Sequence, residues 1–125
     1  VTVENYEEKP KEIKFLLDNF VNLNFTLDVG HATIFKNAAI KNWFETFDER
    51  LLVAHIHDVV KKKGYKRDHH VVGSGVVDFK KVINYIKKTD CKFINLEIFF
   101  QDYGGKADEK AIKSSFSKIK KLLAI

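Results

Sequence analysis

The chain has 125 residues, 45% of them hydrophobic and 13% aromatic, which supports one packed domain over residues 1–125 and excludes a disordered segment. Its formal charge of +5 is spread over predicted helix faces as well as one run, Lys61 to Arg67, so nucleic acid is permitted rather than indicated. The single cysteine, Cys91, excludes an internal disulfide and a thiolate-rich zinc site, and no apolar run has the length of a membrane span. A lone thiol and no leader signal fit the cytoplasm. Methionine is absent even at position 1, as expected of a segment from a longer reading frame or of a processed chain.

In chain order, Val1 to Val3 reads as a short strand ending at Glu4 and Asn5, and Lys9 to Phe20 as a helix with Ile13, Leu16, Leu17 and Phe20 inward. Pro10 suits its first turn. A second strand, Asn24 to Val29, ends in Asp28, Gly30 and His31. Ala32 to Phe47 follows as one helix with a broad apolar stripe that includes Trp43 and Phe44. The third strand, Leu51 to His57, delivers His55, His57 and Asp58. Lys61 to Gly75 is then expected to be a long basic loop, with Gly64, Gly73 and Gly75 letting it curl over a site. Asp78 to Lys88 is the third helix. Lys92 to Ile98 is the fourth strand, carrying Glu97, and Gln101 to Lys106 is a polar loop. Ala107 to Leu123 closes the chain as a helix with Ile112, Phe116, Ile119, Leu122 and Leu123 on one face.

Four strand-helix units in succession predict an α/β fold with a parallel sheet and right-handed crossovers. The C-terminal ends of such strands share one face, so Glu4, Asp28, His31, His55, His57 and Glu97 are expected to converge there. Leu51 to Gly75 alone holds four of the five histidines. Two glutamates, an aspartate and an imidazole form an oxygen-rich set suited to Mn²⁺, Co²⁺ or Mg²⁺ at least as well as Zn²⁺. A divalent ion so held polarises a carbonyl or hydroxyl oxygen while a neighbouring glutamate moves a proton, and sugar hydroxyls would ligate the same ion.

The strand ends EN, LDVGHA and HIHD, the loop DHHVVGSGVVDF and the strand INLEIF resemble the second half of the xylose isomerase-like barrel superfamily. That superfamily includes sugar isomerases, ketose 3-epimerases of the tagatose type and zinc AP endonucleases of the endonuclease-four type. The resemblance implies a (β/α)4 half of a TIM barrel, running from strand five to the last helix. Carried over residue by residue, it makes Glu4, Asp28, His55 and Glu97 the metal ligands, with Glu4 and Glu97 as the catalytic acid/base pair. His31, His57 and His69 would meet substrate. In the nuclease pattern a further zinc is held by a histidine, here His69, with an aspartate two residues earlier. Arg67 occupies that position, with Asp68 beside the histidine instead. This departure favours a metal-dependent isomerase or epimerase acting on a sugar or sugar phosphate over an AP endonuclease-like phosphodiesterase. A non-catalytic half-barrel used in assembly is the third reading. The first four strands of the family's barrel have no counterpart here, which predicts a homo-oligomer or a separate N-terminal half that covers the open sheet.

Overall fold

A computed structural model of the chain describes residues 1–100 and 104–125, without the Tyr65 side chain. Part of the expected polar loop, residues 101–103, lies outside the described residues. Four strands, β1 (Thr2–Glu4), β2 (Asn24–Asp28), β3 (Leu51–Ile56) and β6 (Phe93–Leu96), form an all-parallel sheet in the order β1-β2-β3-β6. Helices α1 (Pro10–Asn19), α2 (Val29–Phe35), α3 (Ile40–Phe47), α4 (Phe79–Ile86) and α5 (Glu109–Leu123) supply the crossovers and the final cover. An antiparallel hairpin of β4 (Asp58–Lys62) and β5 (Tyr65–His70) stands apart from the main sheet. This is the α/β architecture of half a TIM barrel.

Strand alternation divides the side chains. Phe25, Leu27, Ala54 and Ile56 are buried against the helices, where the rings of Phe25, Trp43 and Phe47 pack against one another. Trp43 is fully buried, and its indole N–H has no hydrogen-bond partner among the described residues. The other strand face carries Thr2, Thr26, Val53 and Asn95, with a hydrogen bond of 2.8 Å from Thr26 Oγ1 to Thr2 Oγ1. Phe93 on that face is 61% exposed. Among the described residues β1 and β6 each pair on one side only, so both edges of the sheet are open. Among the described residues no helix is long and apolar enough to cross a membrane.

Three expectations are corrected. The single helix over Ala32 to Phe47 is two, because Lys36 adopts a left-handed conformation (φ 50°) that ends α2. Asp28 starts that helix early by accepting the backbone N–H of His31 at 2.7 Å. The basic loop is largely the β4–β5 hairpin, turned on Lys63 (φ 41°) and Gly64 (φ 86°), a pair of left-handed residues that matches the twist of the strands. The face of α5 is also rotated. Ser115 and Ile119 are its buried line, because Ser115 Oγ accepts the N–H of Val72 at 3.1 Å, and Phe116 is left exposed.

A carboxylate and histidine cluster at the strand ends

Asp28 is the fixed point of the site. It ends β2, is fully buried, and is clasped by the side chain of Asn5, whose Oδ1 accepts the Asp28 N–H at 2.8 Å and whose Nδ2 donates to the Asp28 carbonyl at 3.0 Å. The chain therefore continues the β1–β2 pairing past Glu4 with an amide side chain in place of backbone. Burial pushes the Asp28 pKa up, but the hydrogen bond from His57 and the backbone N–H of His31 outweigh it and hold the group below its ordinary value. Asp28 is thus an anion with no water around it.

Glu4, Asp28, His55 and Glu97, from four different strand ends, present ligand atoms that all lie within 4.8 Å of one another. His55 Nδ1 is the focus: it is 3.2 Å from Glu97 Oε1, 3.3 Å from Glu4 Oε1 and 4.0 Å from Asp28 Oδ2. It is nevertheless a buried nitrogen with no aligned hydrogen-bond partner. Glu4 at this distance holds the imidazole pKa above its usual value of 6.5, burial opposes the effect, and the charges of Glu97, Glu4 and Asp28 add to it. An unpartnered ring nitrogen facing three carboxylates fits a divalent cation, which would satisfy the nitrogen and neutralise the acids together.

Three further histidines, His31, His57 and His69, lie around this set and differ in how their nitrogens are used. His31 Nδ1 donates to the backbone carbonyl of Asn5 at 3.1 Å, since a carbonyl can only accept. That places a proton on Nδ1, and Nε2 lies 3.6 Å from Asp68 Oδ2. His69 Nδ1 lies 3.2 Å from Asp68 Oδ1, and its Nε2 lies 3.7 Å from Glu97 Oε2. Its backbone is left-handed, with φ 58°, a strained state for a residue with a side chain. His57, expected at substrate, is instead fully buried with both nitrogens taken up. Its Nδ1 accepts the backbone N–H of His69 at 2.8 Å, so Nε2 carries the proton and donates to both Asp28 oxygens at 2.9 and 3.0 Å. It braces the site from below. Asp28, His31, His57 and His69 form a second group within 4.8 Å, but the commitment of both His57 nitrogens makes it the poorer cation cage. The rings of His57, His69 and Phe99 stack in a column, with centroids 4.1 and 4.0 Å apart.

Residue 30 must be glycine for this bracing. A Cβ there would sit 1.9 Å from His57 Cε1. Gly30→Ala is expected to cost about 1–3 kcal/mol of stability in urea unfolding, as the ring is forced off Asp28. A variant as stable as the parent would show that His57 has room to move.

Asp68 and Asp58 carry more than the sequence suggested. Asp68 reaches both His31 and His69 although it is one position from the expected place, because the left-handed turn at His69 redirects the chain. Asp58 is fully buried and accepts the backbone N–H groups of Val59, Gly73, Gly75 and Val77 at 2.8, 2.9, 2.8 and 3.1 Å. Gly73 and Gly75 therefore anchor the chain rather than hinge a loop. The readable signal was a strand-end aspartate followed by a G-x-G pair.

The sequence profile of the xylose isomerase-like TIM barrel matches residues 2–122. The chain belongs to that family. It is 30% identical over 106 residues to an uncharacterized protein, MJ1614, of Methanocaldococcus jannaschii, covering 78% of this chain and 39% of that protein. A xylose isomerase domain protein from Planctomyces limnophilus superimposes with a TM-score of 0.74 at 11% identity, over 98% of this chain and 44% of its own. The IolI protein, whose crystal structure holds a zinc atom, superimposes with a TM-score of 0.67 at 17% identity, over 91% of this chain and 43% of its own. The chain thus spans about two fifths of the length of each of these proteins.

Proposed function

We propose that this half-barrel belongs to a divalent-metal enzyme that isomerises or epimerises a sugar or sugar phosphate in the cytoplasm. Glu4, Asp28, His55 and Glu97 would hold the ion, with Mn²⁺, Co²⁺, Mg²⁺ and Zn²⁺ all compatible with three carboxylates and one imidazole. The observation that carries the reading is the buried, unpartnered His55 Nδ1 among three carboxylates. The bound ion would polarise a substrate carbonyl or hydroxyl and stabilise the enediolate. Glu4 and Glu97 come from opposite edges of the sheet and are the two more accessible carboxylates, at 38% and 26% side-chain exposure. In this reading one removes the proton beside the carbonyl and the other returns it. His31 and His69 orient hydroxyls at the same mouth, and His57 keeps Asp28 fixed. The open edges at β1 and β6 are covered by further strands, from the rest of a longer chain or from a second copy.

Incubating the metal-loaded protein with a panel of ketoses and ketose phosphates in D₂O tests this. Solvent deuterium should enter at the carbon beside the carbonyl, and Glu97→Gln should lower the rate by about 10²–10⁴-fold. Exchange undiminished by Glu97→Gln would remove that residue from the chemistry.

A pH dependence follows from His55. Its raised pKa in the metal-free protein means that metal uptake must displace a proton, so affinity falls as pH is lowered through that pKa. Calorimetry in buffers of different ionisation heat should register the released proton. In the metal-free chain the sign is opposite for stability. The contribution of His55 is complete below its unfolded pKa of about 6.5 and is lost as pH rises through the elevated folded value.

Asp68 supports the nuclease-like reading as the alternative. With its carboxylate at 3.2 Å from His69 and 3.6 Å from Nε2 of His31, the substitution of Arg67 for an acid does not remove an acid from the cluster. Cleavage of abasic duplex in Zn²⁺ or Mn²⁺, abolished by His69→Ala, would favour this reading over sugar chemistry.

A further inference from the structure

Beyond the metal cluster, three cations meet where nothing balances them. Lys61 and Lys66 are direct cross-strand partners in the β4–β5 hairpin. Lys36, at the left-handed end of α2, reaches the Lys66 side chain from the helix that packs on both strands. Like charges placed opposite one another in a hairpin are destabilising. Among the described residues no carboxylate pairs with any of the three. Lys66 shares a strand face with Asp68, two residues on, a separation of about 7 Å. Lys36 ends α2, the helix that carries His31 in its first turn. Lys36 and Lys66 therefore lie on α2 and β5, the two elements that carry His31 and Asp68.

We propose that Lys36, Lys61 and Lys66 form a recognition site for the phosphate of a phosphate ester whose reacting part lies over the strand-end cluster. This deepens the proposed function by naming the substrate class and rests on that reading of the strand ends as the reacting site. A phosphate dianion turns the mutual repulsion of three ammonium groups into three charge-assisted contacts. The distance from Asp68 suits a group carried one sugar away from the reacting atoms, in either a sugar phosphate or a nucleic-acid strand.

Binding of ribose, ribose 5-phosphate and a short abasic duplex to the purified chain in Mn²⁺ separates the possibilities, with the Lys36→Gln/Lys66→Gln double variant alongside. Ribose 5-phosphate should bind about tenfold or more tighter than ribose, and the double variant should abolish that preference. Duplex binding whose salt slope drops by about two in the variant would support the site with nucleic acid as the source of the phosphate. Equal affinity for ribose and its phosphate with duplex binding unchanged by the variant, or no binding of either phosphate ester, would overturn the proposal. Metal content measured on the same samples keeps the two readings apart. Lysine-dependent phosphate binding in a chain that takes up no metal would overturn the metal site and leave the phosphate site standing.

Discussion

Asp58→Ala is expected to remove a large part of the chain's stability. The Asp58 carboxylate is the shared acceptor for four backbone donors, Val59, Gly73, Gly75 and Val77, and it is fully buried. Stranding a buried N–H costs about 1–3 kcal/mol; the Val59 bond is buried and the other three are partly buried, so the loss should be about 3–5 kcal/mol. Domains of this size hold only about 5–15 kcal/mol in total. Asp58→Asn should fall between, because its amide keeps one acceptor oxygen and turns two N–H donors toward the donors of the loop. Urea denaturation followed by circular dichroism measures the series. An alanine variant within about 1 kcal/mol of the parent would mean that the segment from Gly73 to Val77 is held by something else. The packing argues otherwise, since a Cβ at Gly75 would come within 2.0 Å of the Val59 carbonyl oxygen and 2.6 Å of Asp58 Oδ1.

His55→Ala should abolish metal uptake while leaving the fold in place. It removes the one nitrogen of the proposed ligand set and the only group on which Glu4, Asp28 and Glu97 all converge. Loss of residues that merely support a metal ligand costs 10–100-fold in affinity, so the loss of the ligand itself should exceed about 100-fold. The three carboxylates left behind face one another without the imidazole between them. Equilibrium dialysis followed by elemental analysis reads the effect directly. Stoichiometric metal in His55→Ala at the parent's affinity would move the site elsewhere, with the Asp28, His31, His57 and His69 group the next place to look.

The strand ends were legible because each apolar run stops abruptly at a polar residue: Leu27 before Asp28, Ala54 before His55, Leu96 before Glu97. In a parallel sheet that pattern places those side chains on one rim. The division of roles among the histidines was not legible. His57 and His55 differ by two positions on the same chain segment, yet one is committed on both nitrogens while Nδ1 of the other has no aligned partner among the described residues, and only the positions of the His69 N–H and Asp28 decide between them. Local backbone handedness was hidden for the same reason. The stripe from Ile34 through Ala38 to Phe47 keeps helical spacing across a left-handed Lys36, and Lys63-Gly64 lacks the asparagine or aspartate that usually announces a two-residue turn. In α5 the apolar stripe pointed to Phe116, but a hydrogen bond to Val72 drew Ser115 inward.

The position of Trp43 decides how these variants can be told apart by light. It is the only tryptophan in the chain and is sealed between Phe25 and Phe47 in the helix layer, whereas Glu4, His55 and Glu97 gather at the rim. Its emission should therefore shift red when the helices separate from the sheet and stay constant when ions enter or leave the carboxylate cluster. Asp58→Ala and His55→Ala, alike in losing function, should give opposite fluorescence records, one quenched and red-shifted and the other indistinguishable from the parent.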